Sequence, residues 1–340
     1  MKLSVVIPTY NRRESLRRTL DGLTCQTFPP DEFEVIVVSD GSTDGTEAML
    51  IAYAASVPFA LRPITQANAG PSAARNRGIA EARHEVIVFL DDDVEPCPEF
   101  LARHAAYHVE DESVIVLGPM SPDPERRAEE PVWIAWEHAK LQEIYAMFGP
   151  GGHYAGVDAG PEHFYSGNAS VRRRWLEAVG GFDVTYTRQE DVELGARLRA
   201  AFGLRFVFDF AANGLHRPSR TFDSWLRIPT SYGTLDAHRV LAGQLNEQDV
   251  ARQAARRSFG TRALTRLCLA VPQGLSTATM ILRSLAIGLH RYGMTRAALA
   301  ALSGLYNATY AAAFGQSAQS SRAHQTGGRC ADRQHHHPLL

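Results

Sequence analysis

Three consecutive carboxylates, Asp91-Asp92-Asp93, follow directly on the apolar run Val86-Ile87-Val88-Phe89-Leu90. Acids this close raise one another's pKa and call for a positive partner, of which a hard divalent cation is the simplest. Mg²⁺ or Mn²⁺ takes one or two protein carboxylates and fills its shell with phosphate oxygens and water, so the run suits a diphosphate ligand. Alone, it would equally be a solvated acidic loop. Glu190 and Asp191 stand at the head of a helical pattern, where acids favour the helix dipole on their own account. The functional alternative is a general base that takes the proton of an attacking hydroxyl. A lone His216 would be structural, but with an acidic loop upstream its imidazole is a candidate ligand to the same cation. Asp40, in Ser39-Asp40-Gly41-Ser42, has the composition of a turn. It too ends an apolar run, where a carboxylate can accept a nucleobase ring N–H while Arg75 reaches a base or a phosphate.

The elements that must position these residues alternate between strand and helix. Leu3 to Ile7 reads as a strand ended by Pro8, and Asn11 with Glu14 resembles a capping box ahead of a helix bearing Leu16, Leu20 and Leu23. Phe33 to Val38 is a second strand, with Thr43 expected to cap a helix carrying Met49, Leu50 and Tyr53. Pro71 suits the first position of a third helix, and Val86 to Leu90 is a further buried strand. This alternation predicts a mostly parallel sheet whose carboxyl ends gather Pro8-Thr9-Tyr10, Asp40-Gly41-Ser42 and Asp91-Asp92-Asp93 in one crevice. The middle third is less regular. It reads as a helix over Val132 to Met147, a mobile glycine-rich loop over Gly149 to Gly160, and the turn Tyr165-Ser166-Gly167-Asn168 into a short helix stopped at Gly180-Gly181. The helix from Glu190 ends at Gly203, before a strand from Leu204 to Phe208.

Composition excludes several classes. With 35 basic and 37 acidic residues in 340, the net charge of −2 supplies no field for nucleic acid, which is not expected as a partner. At 45% hydrophobic and 21% charged, the chain is neither disordered nor fibrous. The 4 cysteines form no C-x-x-C pair, so no zinc knuckle or disulfide framework is signalled and a reducing cytoplasm is the expected compartment. The apolar stretch before Pro8 is too short for a secretory signal. From Asp249 the composition turns to alanine, leucine and arginine. Arg252, Arg256, Arg257, Arg262 and Arg266 precede two uncharged apolar segments, Leu267 to Leu282 and Ala297 to Gly315, each marginal as a membrane span. They could rest on the anionic inner face of the plasma membrane, or form a helical bundle against the catalytic domain or another subunit. The segment after Ser317 reads as a loose polar tail ending in His335-His336-His337, to which no function is assigned.

Taken together, Pro8-Thr9-Tyr10-Asn11, Ser39-Asp40-Gly41-Ser42-Thr43-Asp44, Gly70-Pro71 through Ala74-Arg75-Asn76-Arg77-Gly78, Phe89-Leu90-Asp91-Asp92-Asp93, Gly167-Asn168, Gly180-Gly181-Phe182-Asp183 and Glu190-Asp191 resemble the family 2 glycosyltransferases of GT-A fold. Each motif is weak; seven in order are specific. The resemblance covers about residues 1 to 218. It implies inverting transfer of a sugar from a nucleotide diphosphate donor with Mg²⁺ or Mn²⁺. By the same resemblance Pro8, Thr9, Tyr10 and Arg12 form the first nucleotide-contacting loop, Asp40 reads the base, and Arg75 is the basic residue of the third element. Asp91 and Asp92 lie near the ribose, Asp93 and His216 hold the metal, and Gly167 and Asn168 form the turn under donor sugar and acceptor. Asp191 is the catalytic base, with Glu190 beside it.

Two departures qualify the match. Many relatives carry a second acid where Ser39 stands, which bears on the choice of nucleotide; UDP is favoured. No Q-x-x-R-W element is found, which favours single-sugar addition over processive synthesis. The implied acceptor is a carbohydrate, a lipid-linked molecule or a small molecule. The expected organisation is a nucleotide-sugar-binding α/β half over 1–118, an acceptor-binding and catalytic half of the same domain over 119–218, a helical extension over 219–316 that offers a membrane contact or an oligomer interface, and a disordered tail over 317–340. A nucleotidyltransferase would share the acidic crevice but show a phosphate loop with glycine and lysine, absent from residues 8 to 18. A catalytically silent nucleotide-sugar-binding scaffold is the other alternative.

Overall fold

The computed structural model describes residues 1–331 apart from 128, 187 and 272, with side chains described to residue 320. The His335-His336-His337 tract lies outside the described residues. The first segment, β1 (Leu3–Thr9), is buried on both faces, as is β2 (Phe33–Asp40), so each reads as a largely apolar run, interrupted by Ser4 in one and by Glu34 in the other, where the Ser4 hydroxyl donates to Glu34 at 2.7 Å. Between them α1 (Arg13–Thr24) buries Leu16, Leu20 and Leu23. The Asn11/Glu14 capping box does not form. Asn11 adopts a left-handed φ of 53° and its Oδ1 accepts the Thr43 N–H at 2.7 Å, tying the first loop to the second. Asp44 takes the capping role instead. Its Oδ2 accepts the Arg13 N–H at 2.9 Å, and its Oδ1 accepts the Thr46 N–H at 3.1 Å, so one carboxylate serves α1 and also α2 (Thr46–Ala54), where Thr43 was the expected cap.

The chain continues through β3 (Ala60–Gln66), α3 (Pro71–Glu81), β4 (Val86–Leu90), β5 (Val94–Pro96), α4 (Phe100–Glu110), β6 (Val114–Leu117), β7 (Met120–Pro122) and α5 (Val132–Tyr145). It then forms β8 (Asn168–Arg172), α6 (Arg173–Ala178), α7 (Glu190–Phe202), β9 (Arg205–Phe208) and β10 (Gly214–His216). The main sheet has the order β3-β2-β1-β4-β8-β6-β9, parallel except where β8 runs against β4 and β6. Thus the sheet is mostly parallel, as expected. One layer of core lies on each face: Val6, Ile36, Phe89 and Phe206 on one, Leu3, Leu16, Val35 and Phe100 on the other. Strand β3 has no counterpart in the sequence reading. It is the edge strand, half-exposed and interrupted by Pro63, and an edge is where a strand tolerates proline. A second sheet, β5-β10-β7, pairs His216 with Val94 and so carries the histidine beside Asp93.

The chain divides into two compact units. The first comprises residues 1–129 and 138–219 and holds both sheets. The second comprises residues 130–137 and 220 onward, in which α8 (Phe222–Leu241), α9 (Glu247–Ala255), α10 (Phe259–Ala270), α11 (Gly274–Arg291) and α12 (Thr295–Ala331) build a separate core around Trp136, Trp225, Leu302 and Leu305. Helix α12 continues through 317–331, where polar composition suggests a loose tail.

Candidate functional site

The strand order reverses at β1, with β2 on one side and β4 on the other, and ligands of open α/β sheets sit beyond the carboxyl ends at such a point. Both strands end there in polar residues that meet: Thr9 Oγ1 donates to Asp92 Oδ2 at 2.7 Å. Arg12, just past β1, donates through Nη1 to Asp92 Oδ1 at 3.1 Å and to Asp93 Oδ2 at 2.5 Å. Burial opposes the Arg12 charge, but Asp93 and Asp92 more than offset it and hold the pKa above its ordinary value. Burial also drives the Asp92 carboxyl upward, against the pull of Arg12. Pro8 is partly buried, while Tyr10 is half exposed at the rim.

Arg75, on α3, is buried and donates through Nη2 to Asp91 Oδ1 at 2.8 Å. Its Nη1 lies 3.6 Å from Glu190 Oε1, and its guanidinium faces the Phe182 ring at 5.6 Å. This arginine therefore joins the acidic loop after β4 to the first turn of α7. The segments around it hold each other. Asn76 Nδ2 donates to the Phe182 carbonyl at 2.8 Å, and its Oδ1 accepts the Phe182 N–H at 2.8 Å. Gly181, at φ 71°, leaves the space this clasp needs, since a Cβ there would collide with Asn76 Oδ1.

A second route connects the same loop to α7. The Asp91 N–H donates to the Gly167 carbonyl at 3.2 Å, and the neighbouring Ser166 N–H donates to Asp191 Oδ2 at 3.3 Å. Asp191 Oδ1 accepts the Val192 N–H at 2.9 Å. Burial and the adjacent Glu190 push the Asp191 carboxyl up to about 6, against Arg75 and the two backbone donors. A carboxylate with that pKa is a competent proton acceptor near neutral pH. Gly167 is required by close approach: a Cβ would sit 2.7 Å from both Asp91 Oδ2 and Met120 Sδ.

His216 Nε2 lies 3.6 Å from Asp93 Oδ1, the oxygen that Arg12 does not take. Among the described residues no group of three or more His, Cys, Asp or Glu side chains gathers as a metal cage. One carboxylate oxygen and one imidazole nitrogen still suit a hard cation that completes its shell with phosphate oxygens and water, so the residues present fit Mg²⁺ or Mn²⁺. His138, on α5, meets the His216 ring edge-on with centroids 5.3 Å apart. Sequence reasoning missed it, since a single histidine in a helical run carries no motif.

Two expected site residues hold the loops around the site through their own hydrogen bonds. Asn168 is buried; its Nδ2 donates to the Pro119 and Ala212 carbonyls at 2.9 and 2.8 Å, and its Oδ1 pairs with His104 Nε2 at 3.0 Å. It belongs to a closed polar network, since Ser170 Oγ lies 2.9 Å from His104 Nδ1 and 2.8 Å from His108 Nε2. Its side chain thus supports the Gly167 turn from inside the sheet. Asp40 is also buried, and its oxygens accept from Gln66 Nε2, Ala69 N and Gly70 N at 2.8 to 2.9 Å, fastening the loop that opens α3.

Comparison with known proteins agrees with this architecture. The chain is 33% identical over 228 residues to validoxylamine A glucosyltransferase of Streptomyces hygroscopicus subsp. limoneus, an alignment covering 58% of this chain and 48% of that one. It spans about half or less of the curated relatives it matches. Its fold resembles that of the Pyrobaculum calidifontis mannosyltransferase PcManGT, solved with GDP-Man and Mn²⁺, at a TM-score of 0.59 and 19% identity, covering 90% of this chain and 85% of that one. It also resembles residues 1–349 of S. aureus TarS, solved with UDP, at a TM-score of 0.52 and 19% identity, covering 94% and 92%. The glycosyl transferase family 2 model matches residues 4–180, just over half of the sequence, and the chain belongs to that family.

Proposed function

We propose that the protein is an inverting, non-processive, metal-dependent glycosyltransferase that moves a sugar from a nucleotide diphosphate donor, with a UDP-sugar favoured, to an acceptor hydroxyl. The observation that carries this reading is Asp191: a partly buried carboxylate with a raised pKa, joined to the acidic loop through Gly167 and Ser166, with the Arg75 bridge reaching the adjacent Glu190. In the proposed step Asp191 takes the proton of the acceptor hydroxyl. The acceptor oxygen bonds to the anomeric carbon while the bond from that carbon to the diphosphate oxygen breaks, its electron pair leaving with the diphosphate. One displacement inverts the centre, and no second carboxylate nucleophile is needed.

Arg12 and Arg75 hold the acidic loop in place and add positive charge where a diphosphate would lie. Asp93 and His216 would hold Mg²⁺ or Mn²⁺, which when bound neutralises charge on the leaving diphosphate. Glu190, beside Asp191 and paired with Arg75, helps set the proton affinity of the base. The acceptor is a carbohydrate, a lipid-linked molecule or a small molecule. Since Asp40 already accepts three hydrogen bonds of the roughly four a carboxylate can take, it has about one position left for a nucleobase.

The test is calorimetry and turnover on Asp191→Asn, preceded by a panel of UDP-, GDP- and dTDP-sugars with and without Mn²⁺. Donor affinity should survive the substitution while turnover is lost. Unchanged turnover removes Asp191 as the base, and donor binding without any transfer by the native chain favours the silent scaffold.

A further inference from the structure

In the second unit, the outward faces of α10 and α11 are apolar and uncovered. Leu267, Leu269 and Val271 on and just after α10, and Met280, Ile281 and Leu285 on α11, are all exposed, Met280 at 66% and Leu267 at 62%. Ile281 and Leu285 are one helical turn apart, so they share a stripe with Met280 beside them. Between the two helices lies an apolar groove of about 340 Å³, lined by Leu264, Leu267, Val271, Ile281 and Leu282 among others. Contiguous apolar surface of this kind marks an interaction site.

The charge around it identifies the partner's chemistry. Residues 250–320 contain eight arginines and no aspartate, glutamate or lysine, although the whole chain is slightly acidic. Arg256, Arg266, Arg291 and Arg296 are exposed, while Arg252 pairs with Asp249 at 3.4 Å and Arg283 lies over the Phe222 ring at 4.7 Å. Among the described residues no helix is long and apolar enough to cross a membrane. An apolar stripe carried by a segment whose charged side chains are all arginines is complementary to a surface that presents anions over hydrocarbon.

We propose that α10 and α11 form a docking face for an anionic lipid bilayer, with Met280, Ile281 and Leu285 entering the acyl boundary, the groove taking an acyl segment and the exposed arginines meeting lipid phosphates. The apolar and the basic contributions act together, since one alone gives only marginal, reversible attachment. Each arginine near such a surface adds about 1 kcal/mol, or roughly fivefold in partition.

The test is flotation of the full chain with vesicles of phosphatidylcholine alone and of phosphatidylcholine containing roughly one-third phosphatidylglycerol. The chain should bind the anionic vesicles at least about tenfold more tightly, and binding should weaken with added salt. The double variants Ile281→Asn/Leu285→Asn and Arg256→Ser/Arg266→Ser should each reduce binding by roughly tenfold or more. Among the described residues none of these four side chains makes a hydrogen bond or ion pair whose loss should unfold the chain, and an unchanged urea midpoint checks this for all of them. Failure to float with either vesicle overturns the proposal, as does binding indifferent to both double variants. A dimer in sedimentation that the Ile281→Asn/Leu285→Asn variant dissolves, without vesicle binding, assigns the face to a second copy of the chain and overturns it as well.

Discussion

Arg75 donates to Asp91 at 2.8 Å from a buried position while the other arm of its guanidinium lies 3.6 Å from Glu190. The acidic loop after β4 and the first turn of α7 thus share one cation. Arg75→Met would leave two carboxylates facing each other without that charge. Both are partly exposed, so the loss of stability should be about 2 kcal/mol, below that for a fully buried pair. Turnover should fall further than the urea midpoint implies. Arg75→Lys should not restore it, because an ammonium cannot reach both acids in the fork geometry.

The pH dependence of turnover follows from Asp191. With its carboxyl pushed up to about 6, and with the proposed role as base requiring the ionised form, kcat should rise tenfold per pH unit below pH 6 and level off above it. Stability runs the other way: the folded state holds this proton more tightly than the unfolded chain, so stability falls as pH rises through about 4 to 6. Asp191→Asn should remove that loss. Its amide replaces one of two acceptor oxygens facing backbone N–H groups, so the net gain at neutral pH should be only about 1 to 2 kcal/mol by urea denaturation.

The buried histidines set acid stability. Burial lowers His104 to about 4 and His108 to about 3, so both stay neutral in the folded state well below the pH at which the unfolded chain takes up protons. Their contribution to stability is undiminished above pH 6.5 and declines as pH falls below it, opposite in sign to that of Asp191. Between pH 7 and pH 5 the two should together remove about 3 to 4 kcal/mol. His108→Gln should roughly halve that slope when urea midpoints are compared at the two pH values.

Removal of His216 tests the cation pair. His216→Ala should lower the Mn²⁺-dependent part of donor binding by at least about tenfold, while donor binding in chelator stays unchanged. Titration calorimetry with and without Mn²⁺ separates the two.

Gly167→Ala tests the close approach beneath Asp91. The added methyl would sit 2.7 Å from Asp91 Oδ2 and must displace it. A shift of about 1 Å at such a position typically reduces turnover by about a hundredfold, and because Gly167 is buried and the methyl also meets Met120 Sδ, the urea midpoint should fall as well, by about 1 to 3 kcal/mol of stability.

How far the sequence discloses this molecule depends on what surrounds each residue. Strands β1, β2 and β4 are legible because burial on both faces leaves largely apolar runs ending in polar loops. Edge strand β3, with Pro63 and alternating exposure, carries no such run. Glu190 and Asp191 are legible as a helix start, and α7 begins at Glu190. What composition cannot convey is which way a polar side chain turns. Asn168 and Gly167 are adjacent in one motif, yet one faces the polar network around Ser170 and the other the acidic loop. Likewise Thr43 and Asp44 are both suitable caps, and only the approach of the loop after β1 selects Asp44.

The placement of β8 between β4 and β6 carries a further consequence for biogenesis. A nascent chain leaving the ribosome can complete the β3-β2-β1-β4 half as soon as residue 90 has emerged, because every pairing in it lies upstream. Strand β6 is translated next but has no partner until residues 168–172 follow, and only then can it be zipped to the rest. Its four apolar residues, Val114 to Leu117, are therefore the stretch that a cotranslational chaperone would have to shield.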